Sequence, residues 1–86
     1  MKKCAHVPAL PDPEPAPLDR TCPECRAAGT EPVQLRLCLS CGHVGCCDSS
    51  PLRHATAHFR ATGHPVMRSF EPGEDWRWCF VDDVLV

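Results

Sequence analysis

Residues 38–64 read CLSCGHVGCCDSSPLRHATAHFRATGH, and this stretch decides the fold. It holds Cys38, Cys41, Cys46 and Cys47 together with His43, His54, His58 and His64, from a chain with 8 cysteines and 5 histidines in all. Cys38 and Cys41 form a C-x2-C pair, and a second pair, Cys22 and Cys25, stands just upstream. Thiols and imidazoles at such spacing are the ligands of structural zinc. Each C-x2-C pair supplies half of a tetrahedral site. Cys46, His54, His58 and His64 are the four further donors needed to close two sites. His54 and His58 lie four residues apart, so on a helix they could grip one ion together or serve one ion each; spacing leaves both arrangements open.

Working outward, the residues left over suggest a third site. Cys4 and His6 have C-x-H spacing near the start, while Cys79 and Asp82 have C-x2-D spacing near the end. A carboxylate is an accepted zinc ligand, so these four could join the two ends of the chain through a third ion. A chain of 86 residues is expected to form a single domain, residues 1–86, too small to be stable without staples. Structural zinc can supply about 10 kcal/mol or more per site. Disulfides are the competing use of 8 cysteines. They do not explain the interleaved histidines, and the opening residues MKKCAHVPAL lack the apolar core of a secretory signal. The expected location is therefore reducing and cytoplasmic.

Between the ligands the chain alternates short elements and turns. Residues 7–21, VPALPDPEPAPLDRT, carry five of the 10 prolines and are expected to form a loop with no part in a sheet. Residues 33–39, VQLRLCL, alternate apolar Val33, Leu35, Leu37 and Leu39 with Gln34, Arg36 and Cys38, the period of a half-buried strand. A short return strand begins near His43, itself read as a turn residue, and ends near Cys46. Ser50 and Pro51 suit a helix start and Gly63 a stop, which predicts a helix over 51–62. Residues 64–70 and 75–81 read as two more strands, the first with Val66 inward and the second with Trp76, Trp78 and Phe80 on one face. A domain this small is expected to use those aromatics as core. The predicted class is α+β, a small zinc-stabilised domain with a short antiparallel sheet and one helix packed across it.

Charge excludes some partners. Nine Lys and Arg face 11 Asp and Glu, a net charge of −2 with no basic stripe, so nucleic acid is not expected. No apolar stretch approaches the ~20 residues of a membrane span. No nucleophile with a paired base accompanies the thiols, so the chain is not read as an enzyme, and Cys47 is left as a spare thiol beside a ligand. The expected partner is a protein or peptide, bound by a monomer.

The order C-x-H, C-x2-C, C-x2-C, V-x-C, H-x3-H-x5-H-P and a late W-C-F strand resembles the UBP-type zinc finger, a module of ubiquitin-specific proteases and of a cytoplasmic histone deacetylase. The resemblance runs from Cys4 to about Asp82. It implies that Cys22, Cys25, Cys46 and His54 hold one Zn2+, that Cys38, Cys41, His58 and His64 hold a second, and that Cys4, His6 and Cys79 belong to a third. Asp82 stands where the family has a fourth cysteine. Family members that bind ubiquitin capture its free Gly-Gly carboxylate in a pocket. An arginine two residues after the V-x-C cysteine, a tryptophan two residues before the second knuckle and late-strand aromatics form that pocket. In this chain those positions are Asp48, Arg36, and Trp78 with Phe80. An aspartate repels a carboxylate, so the ubiquitin tail is not expected to dock through Asp48. Arg36 can restore the positive charge from the opposite wall. Alternatively, Asp48 can turn the preference toward an amine or basic side chain near Trp78 and Phe80.

Overall fold

The computed structural model describes residues 6–86. The two zinc-type knuckles fold differently. Cys22 is the N-cap of a short helix, α1 (Pro23–Ala28), with Pro23 in its first turn and the Cys25 amide donating to Cys22 Sγ at 3.3 Å. The knuckle is thus the first turn of a helix, where a sulfur takes the usual place of a capping oxygen. The second knuckle instead closes the hairpin between β1 (Leu35–Cys38) and β2 (Val44–Cys46), with Gly42 N–H donating to Cys38 O at 2.9 Å.

After β2 come helix α2 (His54–Thr62) and three more strands, β3 (Val66–Ser69), β4 (Arg77–Cys79) and β5 (Val84–Leu85). Among the described residues the strands form one antiparallel sheet in the order β2-β1-β3-β4-β5. The α+β class and the single helix across the sheet are as the sequence predicts. β5 is not, because two residues are too few to show a period.

α2 begins three residues later than predicted. Arg53, not Ser50, precedes it, in a left-handed conformation (φ 48°) and with no side-chain cap. Ser50 is buried and spent elsewhere: its hydroxyl accepts from the Val33 amide at 2.8 Å and lies 3.6 Å from Cys47 Sγ. Capping chemistry was present in the sequence, but the loop took it first.

Gly45 sets how closely α2 lies on the sheet. A Cβ there would stand 2.7 Å from the Ala55 nitrogen and 3.0 Å from Ala55 Cα, so the helix backbone rests almost directly on β2. This approach covers the face of β1 that the alternation assigned to solvent. Arg36 and Cys38 are consequently buried along with Leu37 and Leu39, whereas Val33, predicted inward, is exposed.

The core is small: Leu37, Leu39, Val44, Val66 and Cys79, with Val7 and Leu10 packed against it from the proline-rich segment. That segment contains one 3-10 turn, Val7–Ala9, and no strand. It is anchored where Leu18 N–H donates to Gly42 O at 2.9 Å, and the Ala16 carbonyl fills the space a side chain at position 42 would need. Trp76, Trp78 and Phe80 are not in the core, contrary to the expectation from size. They are half-buried on the face that carries α2, beside the helix where it leaves part of the sheet uncovered.

Candidate metal centres and an aromatic cleft

The structure gathers the predicted ligands into three clusters, each with its donor atoms within 4.8 Å of one another. In the first, α2 turns His54 Nδ1 toward three sulfurs, at 3.2 Å from Cys22, 3.2 Å from Cys25 and 3.4 Å from Cys46. A tetrahedron with Zn–S of about 2.3 Å and Zn–N of about 2.0 Å has S···N edges of about 3.5 Å, so the donor set has the size zinc requires. In the second cluster Cys38 Sγ lies 3.5 Å from His64 Nδ1, and Cys41 Sγ lies 3.4 Å from His58 Nε2. Zinc suits both clusters in chemistry as well, thiolate and imidazole being its preferred donors.

Four residues apart on α2, His54 and His58 therefore serve different clusters, which settles the alternative that spacing left open. Along the chain the ligands alternate in pairs between the two clusters, so the clusters are interleaved.

The third cluster contains His6, Cys79 and Asp82. Cys79 Sγ lies 3.4 Å from His6 Nδ1 and 3.6 Å from Asp82 Oδ2, and His6 Nδ1 lies 3.3 Å from Asp82 Oδ2. These separations also match the edges of a zinc tetrahedron with one sulfur, one nitrogen and one oxygen. Cys4, the remaining predicted member, lies outside the described residues.

Local electrostatics prepare the donors. Burial pushes the Cys22 thiol up to about 12 and raises Cys38 and Cys46 as well, so without metal these sulfurs hold their protons. A backbone amide opposes this at Cys46, where His54 N–H donates to Sγ at 3.0 Å and favours thiolate once a cation is present. Burial, then the neighbouring His43 and His64, lowers the pKa of His58, keeping the imidazole neutral as a ligand must be. His43 is no idle turn residue. Its Nε2 donates to Glu24 Oε2 at 2.7 Å and its ring stacks on His58 with centroids 4.0 Å apart. It thereby orients one ligand of the second cluster from the helix that carries two ligands of the first. Neither Glu24 nor His43 has a spacing that would disclose this.

On the opposite side of α2 is an open cleft of about 740 Å³. The helix lines it with Ala55, Thr56, Phe59 and Arg60, the sheet side with Met67, Trp76, Trp78, Phe80, Asp83 and Leu85, and the loop after β2 with Cys47, Asp48 and Ser49. All four predicted ligand-binding residues, Arg36, Asp48, Trp78 and Phe80, fall here. Phe59 stacks on Phe80 with centroids 4.8 Å apart. Arg36 is only 8% exposed, and its guanidinium lies 4.5 Å from the centre of the Trp76 ring. Asp48 is exposed and accepts from Thr56 Oγ1 at 2.5 Å. Cys47 is buried beside it; although burial opposes ionisation, hydrogen bonds from Ser50 and the Ser49 amide lower its pKa.

Comparison with known proteins agrees with this geometry. The solution NMR structure of protein RPA1320 from Rhodopseudomonas palustris superimposes with a TM-score of 0.87 at 47% identity, over 99% of this chain and 81% of that one. BRCA1-associated protein from Mus musculus and from Homo sapiens is 42% identical over a stretch covering 54% of this chain. The match spans about a tenth (10%) of the length of those relatives. The family described as "Zn-finger in ubiquitin-hydrolases and other protein" matches residues 22–86. With a matching family over most of its length and ligand clusters of zinc dimensions, the chain belongs to the zinc-binding UBP-type zinc-finger family.

Proposed function

We propose that this chain is a non-catalytic, zinc-held module that binds a protein partner by taking a peptide terminus into the aromatic cleft. The observation that carries the reading is the position of its largest side chains. Trp76, Trp78 and Phe80 stand outside the core and wall an open cleft in a domain with few apolar residues to spare. Aromatic walls with a few polar groups are the usual make-up of a ligand site. Arg36 supports a carboxylate terminus, because a buried guanidinium gains most from a charged acceptor. Asp48, in the place of the family's pocket arginine, argues against the Gly-Gly tail of ubiquitin in its usual pose and for a different carboxylate-ended sequence.

Zinc is proposed at all three clusters, with Asp82 as a direct ligand. With Cys4 as the fourth donor the third site would be closed, whereas a hydrolytic zinc keeps one position open. Ligand thiols of this kind need a reducing setting, which supports a cytoplasmic location. The test is an NMR titration of the zinc-loaded chain with random-sequence peptide pools, one ending in a free carboxylate and one in an amide. Shifts of cleft residues with the carboxylate pool alone are expected; no response to either pool would sink the reading.

A further inference from the structure

The turn between β3 and β4 brings a protein carboxylate to the same guanidinium that the proposed function turns toward a ligand. Arg36 Nη1 donates to Leu35 O at 3.0 Å and to Ser69 Oγ at 3.4 Å, and Nη2 donates to Gln34 Oε1 at 3.1 Å. All three acceptors are neutral. Among the described residues the carboxylate oxygen that comes within 4.0 Å of it is Glu74 Oε1, at 4.0 Å, too far for a hydrogen bond.

Ser69 explains why Glu74 stops short. Its hydroxyl is fully buried and donates to Glu74 Oε1 at 2.5 Å while accepting from Arg36 and from the Glu71 amide. Glu74 therefore neutralises Arg36 through an intervening hydroxyl and forgoes the short, charge-assisted contact that a buried cation favours. The carboxylate is also held lightly. It is 36% exposed, and it follows Pro72 and Gly73 in a turn closed by Glu74 N–H to Glu71 O at 3.2 Å. Such a residue can turn into water once another acceptor takes its place at Ser69, whereas Arg36, on the interior strand β1, is buried and tied to three acceptors.

We propose that Glu74 is a resident competitor: from its hydrogen bond on Ser69 it occupies the field of Arg36, itself a wall of the cleft, and the carboxylate of an incoming peptide terminus displaces it. The proposal rests on the reading of Arg36 as the cation of the cleft. Displacement has two consequences. A neutral end group cannot outbid Glu74, so the turn sharpens selection for a free carboxylate. The affinity of the native module is also held below what Arg36 alone would give, because ligand and Glu74 repel until Glu74 leaves.

The experiment compares binding of N-acetyl-leucylglycine and its amide to the zinc-loaded full chain, followed by the Arg36 Nε–H and tryptophan indole NMR signals. Glu74→Gln, nearly isosteric, is expected to bind the carboxylate probe about three- to tenfold more tightly than the native chain. Its preference over the amide should narrow. Asp75→Asn removes the adjacent charge and should leave affinity unchanged. Should glutamine disturb the turn, visible as lost signal dispersion, Glu74→Ala carries the same expectation. Native-like carboxylate binding with no gain in either Glu74 variant would overturn the competitor while leaving Arg36 as the binding cation. An equal gain in Asp75→Asn would reduce the effect to general charge and also overturn it. No response from any chain would remove both readings together.

Discussion

Asp82 stands where the resemblance expects a thiolate, and the proposed third zinc site turns on it. A carboxylate is a harder donor than a thiolate and gives zinc less covalent bonding, so the His6, Cys79 and Asp82 cluster should release its ion before the other two. Native mass spectrometry during graded chelation is expected to show loss of one zinc first. Asp82→Ala should remove that ion at the outset, and Asp82→Cys should delay its loss. Gly45 is the opposite case, a position that forbids change. An added methyl at 2.7 Å from the Ala55 nitrogen meets backbone that cannot rotate away. Gly45→Ala should therefore lower the stability of the zinc-loaded protein by about 1–3 kcal/mol in chemical denaturation. At this scale the sequence was uneven to read. Every member of the three described clusters could be named from spacing, because metal geometry is short-ranged and fixed, although spacing did not say which histidine joins which cluster. The roles of Gly45, Ser69 and Glu74 arise from contacts between separate elements and turns, which spacing does not encode.

Among the elements, α2 carries most of the design. It delivers His54 to one cluster and His58 to another, and it turns Thr56 and Phe59 toward the cleft. Its start is its weak point, since Arg53 adopts φ 48° without capping the first turn. An L-residue other than Asn or Asp is disfavoured there by about 1 kcal/mol. Arg53→Gly is expected to raise stability by about 0.5–1 kcal/mol, read as a shift of the denaturation midpoint with unchanged zinc content. The helix and four strands were legible from periodicity and turn residues, with ends misplaced by a few residues where Ser50 was diverted to Val33 and Cys47. The solvent face of β1 was misread because alternation reports polarity, not what lies on top. Arg36 counted as polar and proved to be the floor of a cleft. Likewise, Trp76, Trp78 and Phe80 alternate as core residues do, and a sheet with a helix over only part of it gives them another use.

For the whole molecule, metal and protons compete for the same sulfurs. Raised thiol pKa values favour the protonated, metal-free fold below the unfolded thiol value near 9, and that contribution is lost as pH climbs toward about 12. The loaded protein has the reverse dependence, because zinc binds thiolate and expels the proton. Apparent zinc affinity should therefore increase about tenfold per pH unit for each thiol proton released, up to the thiol pKa. Competition with a chromogenic chelator between pH 6 and 8 would measure it. Chelation at neutral pH should unfold the domain cooperatively, since only four aliphatic side chains are buried in the core among the described residues, and circular dichroism should recover when zinc is restored. The pairwise alternation of ligands along the chain has one more effect, on breakage. A single protease nick anywhere between Cys25 and His64 divides the polypeptide in two, yet for every such cut at least one ion has donors on both pieces. The nicked protein would migrate as one body and come apart only when a chelator opens the clasp.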